Sequence, residues 1–228
     1  VLKPVLGRTP QMSLTELDFV VVAIDARGTT YRSREFSNHS WKNLNVIGLD
    51  DHVAAIKQLA ETRPWLDTDR VGIHGSSYGG FTTFRAMIEF PEFFKVGFSN
   101  VGVGALHNMY PDYHWEAFHG KVRYANETRY YDEPTERPVH YENNNASVQI
   151  DRLQGKLFIT MGELDENVLP GTTLQVIDRL IELDKDFDML LIPNANHYFS
   201  SGYVLRKMWD HFVEHLHRQT PPAYNMKK

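Results

Sequence analysis

Residues 67–92 read DTDRVGIHGSSYGGFTTFRAMIEFPE. A short β-type run, RVGIHG, gives way to a helical pattern, GFTTFRAMIEF, that Pro91 stops. The few residues between them are rich in glycine and serine, so they form either a plain strand-to-helix turn or a turn that holds a nucleophile at its tip. The pattern G-x-S-x-G discriminates between the two adjacent serines. Gly75 and Gly79 flank Ser77 two residues away on either side, whereas Ser76 would need glycines where His74 and Tyr78 stand. A chain that turns this abruptly strains the central residue and brings the two backbones too close for side chains at the flanking positions. The helix that follows aims its first N–H groups at whatever bonds to Ser77.

Upstream, LDFVVVAIDARGT predicts a strand over residues 19–24, ending at Asp25 and a glycine-containing turn. In IGLDDHVAAIKQLAETRPW the apolar residues Ile47, Val53, Ile56, Leu59 and Ala60 share one helix face, and Pro64 ends the pattern. Downstream, FKVGFSNVGV, KLFITMG and FDMLLIPNANH read as strands, and GTTLQVIDRLIELD and GYVLRKMWDHFVEHLHR as helices. Residues 105–149 are aromatic and polar with no clear period. Strands alternate with helices, and the strands are continuous apolar runs. That pattern predicts a mostly parallel sheet with helices on both faces, whose ligands bind at the carboxyl ends of the strands.

The 228 residues fit one domain, 42% of them hydrophobic, enough to bury a core. A net charge of -5 gives no pull toward nucleic acid or anionic membrane surfaces. No apolar run approaches the roughly 20 residues that span a bilayer. There is no cysteine, which excludes disulfides, thiolate metal sites and cysteine nucleophiles. The start, VLKPVLGRTPQ, has neither an initiator Met nor a signal-sequence pattern and reads as the interior of a longer chain.

A serine hydroxyl needs a base, and the base needs a group to orient it. Of eleven histidines, His197 closes an apolar strand run late in the chain, at the expected carboxyl edge. His211 and His215 form an H-x-x-x-H pair in the last helix, a metal-binding spacing read here as part of a solvated face together with His217. His107, His114, His119 and His140 fall in the irregular middle. The acid lies in LFITMGELDENV, just past a strand end. Asp165 is preferred because that loop must reach back to a histidine one strand over, with Glu163 and Glu166 open as alternatives.

Three segments together, GSSYGG, MGELDENV and NANHYF, resemble the serine, aspartate and histidine motifs of the prolyl oligopeptidase family, nearest its dipeptidyl peptidase IV branch. VVAIDARGT and WLDTDRVGIHG resemble the strand and lead-in that precede its nucleophile, so the resemblance runs over residues 15–217. It implies an α/β-hydrolase fold lacking its first strands, preceded by an upstream β-propeller. It implies Ser77, Asp165 and His197 as a catalytic triad, the Tyr78 backbone N–H as an oxyanion donor, Asn167 and Val168 beside the substrate, and Tyr110 as a wall of the pocket for a proline-like ring. The expected partner is a peptide, with no cofactor and no metal, and a periplasmic or secreted setting is favoured. His114 stands where the family usually has a second tyrosine, and Met161 where a histidine is frequent. The same triad would serve a carboxylic-ester hydrolase, and a hydrolase-fold binding module without catalysis is the reading from another class. An unpaired sheet edge adds an expectation of homo-oligomers.

Overall fold

A computed structural model describes residues 12–30, 32–39, 46–105, 145–199 and 201–224. In chain order the elements are a 3-10 helix (Met12–Leu17), α1 (Arg34–Asn38), α2 (Val46–Glu61), β1 (Val71–Ser76), α3 (Tyr78–Glu89), β2 (Phe94–Asn100), α4 (Ala146–Gln149), a 3-10 turn (Ile150–Arg152), β3 (Lys156–Gly162), α5 (Pro170–Glu182), β4 (Asp188–Ile192) and α6 (Gly202–Phe212). A π-helical turn (Val213–His217) continues α6 and ends at Arg218 in the left-handed region.

The four strands pair in parallel in the order β1-β2-β3-β4. Successive strand residues face opposite sides. Leu157, Ile159 and Met161 of β3 pack with α2, α3 and α5 residues such as Val53, Phe84 and Leu180. On the other face Val96, Phe98 and Phe158 pack with Val204, Met208, Phe212 and Leu216. Both faces of the central strands β2 and β3 are therefore covered, which is why they are largely apolar, whereas on the edge strand β4 Met189 and Leu191 remain exposed. Phe81 and Phe84 are fully buried in α3, and trimming either to Ala would cost about 3–5 kcal/mol.

The strand expected over residues 19–24 is not in the sheet: these residues have no strand assignment, and Val20 and Val22 are exposed. A cleft of about 400 Å³, lined by residues 18–24 on one side and Arg70, Val71, Gly72, Ile73 and His74 on the other, separates them from β1. A valine-rich run forms a strand only where a neighbouring backbone takes its hydrogen bonds, and here the cleft stands where that neighbour would be. Two boundaries also shift. Helix α2 ends at Glu61 rather than at Pro64, and β4 ends at Ile192, so His197 lies in a loop five residues beyond the strand.

Candidate active site

The turn between β1 and α3 carries the strain expected of it. Ser77 sits at φ 59, ψ -116, a conformation costing about 1–3 kcal/mol that survives only where the surroundings impose it. They do so from two sides. The Ser77 N–H donates to the Asn100 carbonyl at the end of β2 (2.9 Å), and the Ser77 carbonyl accepts from Phe81 N (3.0 Å). A Cβ on Gly75 would lie 2.4 Å from the Gly79 carbonyl, and one on Gly80 would lie 2.6 Å from Gly102 Cα. The two motif glycines differ, however. A Cβ on Gly79 would meet nothing within 4 Å, so steric crowding explains Gly75 and not Gly79.

The acid and histidine loops are tied to each other beyond the ends of β3 and β4. Glu163 N donates to Ile192 O (3.0 Å) and Leu164 N to Ala195 O (2.8 Å), which prolongs the β3–β4 pairing. The Glu163 carboxylate accepts from Asn194 N at 2.9 Å. At Gly162 a Cβ would lie 2.6 Å from Ala195 O, so glycine there lets the loops close up. In this frame Asp165 and His197 are buried, with 3% and 6% exposure, whereas Glu163 and Glu166 are exposed.

The result is a line of hydrogen bonds. His197 Nε2 lies 2.9 Å from Ser77 Oγ, and His197 Nδ1 lies 2.8 Å from Asp165 Oδ2. The second Asp165 oxygen accepts backbone N–H groups from Asn167 (2.9 Å) and Val168 (2.8 Å). An ionised carboxylate can only accept, so Nδ1 carries the proton and Nε2 turns its lone pair to the serine hydroxyl. Asn167 and Val168, expected beside a substrate, hold the acid through their backbones, and the Val168 side chain is buried. Tyr78 is the first residue of α3. Tyr110, His107, His114, His119 and His140 lie outside the described residues.

Ser76 has a different engagement. Its Oγ accepts from Asn100 Nδ2 (2.9 Å), and the Asn100 side-chain oxygen accepts from the Thr160 hydroxyl. These three residues are cross-strand partners in the parallel register, Ser76↔Asn100 and Asn100↔Thr160, so their side chains form a polar row at the carboxyl edge. Sequence reasoning missed this row, and the polar residues at or near the ends of three consecutive strands were its signal. It also passed over Tyr198, 78% exposed, whose ring lies edge-on to His197 with centroids 5.0 Å apart.

The H-x-x-x-H pair is not on a solvated face. His211 is 3% exposed, and burial pushes its imidazole down to about 4, reinforced by His215 and opposed by Asp188 and the nearby backbone of Lys156 and Gly97. Burial also lowers His74 and His52.

The model of the prolyl oligopeptidase family matches residues 8–219. Dipeptidyl peptidase 8 of Homo sapiens is 29% identical over 188 residues, covering 81% of this chain and 20% of that protein. Prolyl endopeptidase FAP of Mus musculus is 24% identical over 200 residues, 86% of this chain and 24% of that protein. Among solved structures, Porphyromonas gingivalis dipeptidyl peptidase 4 superposes with a TM-score of 0.69 at 26% identity, covering 84% of this chain and 26% of that one. The chain thus spans about a quarter or less of the length of these relatives, and its parallel sheet and helices are those of an α/β-hydrolase fold.

Proposed function

The chain belongs to the prolyl oligopeptidase family, and on that premise we propose that it is a serine peptidase working through an acyl-enzyme, with Ser77 as nucleophile, His197 as general base and acid, and Asp165 as the group that orients the imidazole. The observation that carries this reading is the hydrogen-bonded line from Ser77 through His197 to the buried Asp165.

As Ser77 Oγ attacks the scissile carbonyl carbon, its proton passes to His197 Nε2. The imidazolium is stabilised by Asp165, whose charge is fixed in place by two backbone N–H groups. The tetrahedral intermediate collapses when Nε2 returns the proton to the leaving amine and the C–N bond breaks. Water then takes the place of the amine and attacks the acyl carbon while its proton passes to Nε2; the bond from that carbon to Ser77 Oγ breaks, Nε2 returns the proton to Oγ, and the carboxylic acid leaves. The Tyr78 N–H, at the start of α3, is the proposed donor to the developing oxyanion. The named relatives include a dipeptidyl peptidase and a prolyl endopeptidase, so the proposed substrate class is a peptide with proline before the scissile bond. Tyr110 is the proposed ring contact, and Asn167 the proposed neighbour of the substrate beside the acid.

A fluorophosphonate probe tests the chemistry. Mass spectrometry should find the label on Ser77 and lose it in Ser77→Ala, while Ser76→Ala retains labelling and turnover. Ser77→Ala should lower kcat by about 10⁴-fold or more, because triad members act as a unit. Labelling of Ser76, or the reverse order of effects, would reject the assignment. Parallel assays on a proline-linked amide and short acyl esters decide between peptidase and esterase, and activity on esters alone would reject the peptidase.

A further inference from the structure

At the opposite end of the sheet, Asp188, His211 and His215 each place one potential ligand atom so that all three lie within 4.8 Å of one another. Asp188 opens β4, His211 sits near the end of α6, and His215 falls in the π-helical turn that follows. The His211 and His215 rings are 4.7 Å apart and nearly perpendicular, and His211 Nδ1 stands 3.8 Å from Asp188 Oδ2.

The state of His211 is the informative feature. Its side chain is 2% exposed, set among the rings of Phe98, Phe158 and Phe212. Its Nε2 is buried with no hydrogen-bond partner, and Nδ1 stops short of hydrogen-bond distance from Asp188. A buried imidazole whose Nε2 has no hydrogen-bond partner is costly in an apolar packing site, where a hydrocarbon side chain would serve better. The wide turn that carries His215 is a local departure from α-helix of a kind frequent at functional sites.

We propose that Asp188, His211 and His215 form a binding site for a divalent transition metal ion of the zinc class. Two imidazoles and one carboxylate are a donor set that suits such ions and disfavours magnesium and calcium, which take oxygen ligands. Ligands about 2.1 Å from a tetrahedral zinc are about 3.4 Å apart, so from the 4.8 Å limit closure requires a contraction of up to about 1.4 Å. The outer two residues can supply it: the Asp188 side chain is 59% exposed and His215 is half-buried, while His211 is held by packing. The exposed side leaves room for water as the fourth ligand. The site lies at the opposite end of the sheet from the serine, three strands across from β1, and joins the end of the last helix to the edge strand β4. Its role is to fasten that helix to the sheet.

The experiment uses the full, untagged chain stripped with a chelator and titrated calorimetrically with Zn²⁺, then with Co²⁺ followed by its visible absorption. One equivalent should bind, with a cobalt spectrum of low-coordinate imidazole and carboxylate ligation, and Mg²⁺ should not compete. His215→Ala and Asp188→Asn, both at accessible positions, should each weaken Zn²⁺ binding at least about tenfold with unchanged circular dichroism, and should abolish the rise in Tm that zinc gives the parent. No binding by the parent chain, or binding unchanged in both variants, would overturn the proposal. The readout is metal affinity rather than turnover, so it stands or falls separately from the peptidase assignment.

Discussion

Placing alanine at the two motif glycines should have opposite consequences. At Gly75 the new Cβ would stand 2.4 Å from both the carbonyl carbon and oxygen of Gly79 and 2.6 Å from its Cα. The obstacle is backbone at the first turn of α3, which cannot swing aside as a side chain can. Relief to ordinary contact at about 3.5 Å requires about 1 Å of separation between β1 and α3, and overpacking of this kind costs about 1–3 kcal/mol. The residue carried on the moving turn is Ser77, whose Oγ must stay near 2.9 Å from His197 Nε2. A displacement of about 1 Å costs roughly 10²-fold in rate, so Gly75→Ala should lower kcat by at least that factor in the folded fraction. At Gly79 the Cβ meets nothing within 4 Å and φ lies outside the left-handed region, so Gly79→Ala should keep kcat within about twofold and gain up to about 1 kcal/mol from helix propensity. Urea melts and single-substrate kinetics on both variants provide the measurement. Equal losses in the two would refute the steric account of the turn.

Stability should fall as the solution is acidified below the ordinary histidine range. His211 is depressed in the folded state to about 4, so between about 6.5 and 4 the unfolded chain binds a proton that the folded chain refuses. Stability is therefore full above that window and declines by about 3 kcal/mol across it, with His52 and His74 acting in the same sense. Urea melts at several pH values in chelator should show this slope, and His211→Phe should flatten it. An unchanged slope would place the titration elsewhere. Tyr110→Ala should reduce kcat/KM on proline-type substrates by about 1–3 kcal/mol, the scale of a lost pocket contact. A loss of stability with kcat/KM unchanged would make Tyr110 a core residue instead.

The elements that were legible in the sequence are those whose burial is two-sided. RVGIHG and KLFITMG are apolar on both faces because helices cover both, and the structure puts strands at Val71–Ser76 and Lys156–Gly162. Residues 19–24 satisfy the same local rule yet pair with nothing in the sheet, because the rule contains no information about a partner backbone. The π-helical turn was not legible, since nothing in VEHLH distinguishes it from a continuing α-helix. The burial of His211 was legible and was misread. Val204, Met208, His211 and Phe212 form one inward stripe of α6, and a histidine in that stripe is a core residue whatever its neighbour at 215 does. Glycine register singled out Ser77 over Ser76, and the structure puts Ser77 Oγ 2.9 Å from His197 Nε2. The choice of Asp165 over Glu163 needed the loop geometry, which buries the first and leaves the second outside holding Asn194.

The cleft beside β1 bears on the rate as well as on the fold. An α/β-hydrolase completes its oxyanion hole with two donors, the N–H after the nucleophile and one from a loop following an earlier strand. Among the described residues, no strand precedes β1 in the sheet, and the edge of β1 that would receive one faces a cleft of about 400 Å³ instead. If the proposed Tyr78 N–H, the donor among the described residues, acts alone, the developing charge is left half-satisfied, and loss of one such donor costs about 2.7–4 kcal/mol, or roughly 10²–10³ in kcat. Among the described residues this edge of β1 has no partner strand, so self-association through it should accompany any slowing of turnover. Both effects have one cause and should be relieved together. The comparison is between the 228-residue chain and a longer polypeptide in which a strand-and-loop segment precedes Val1. The longer form should turn over a small proline amide roughly 10²–10³ times faster and sediment as a smaller species relative to its mass. Equal kcat in the two would show that the second donor already lies within these residues. Faster turnover with unchanged self-association would separate the oxyanion hole from the sheet edge and leave the cleft without a role in either.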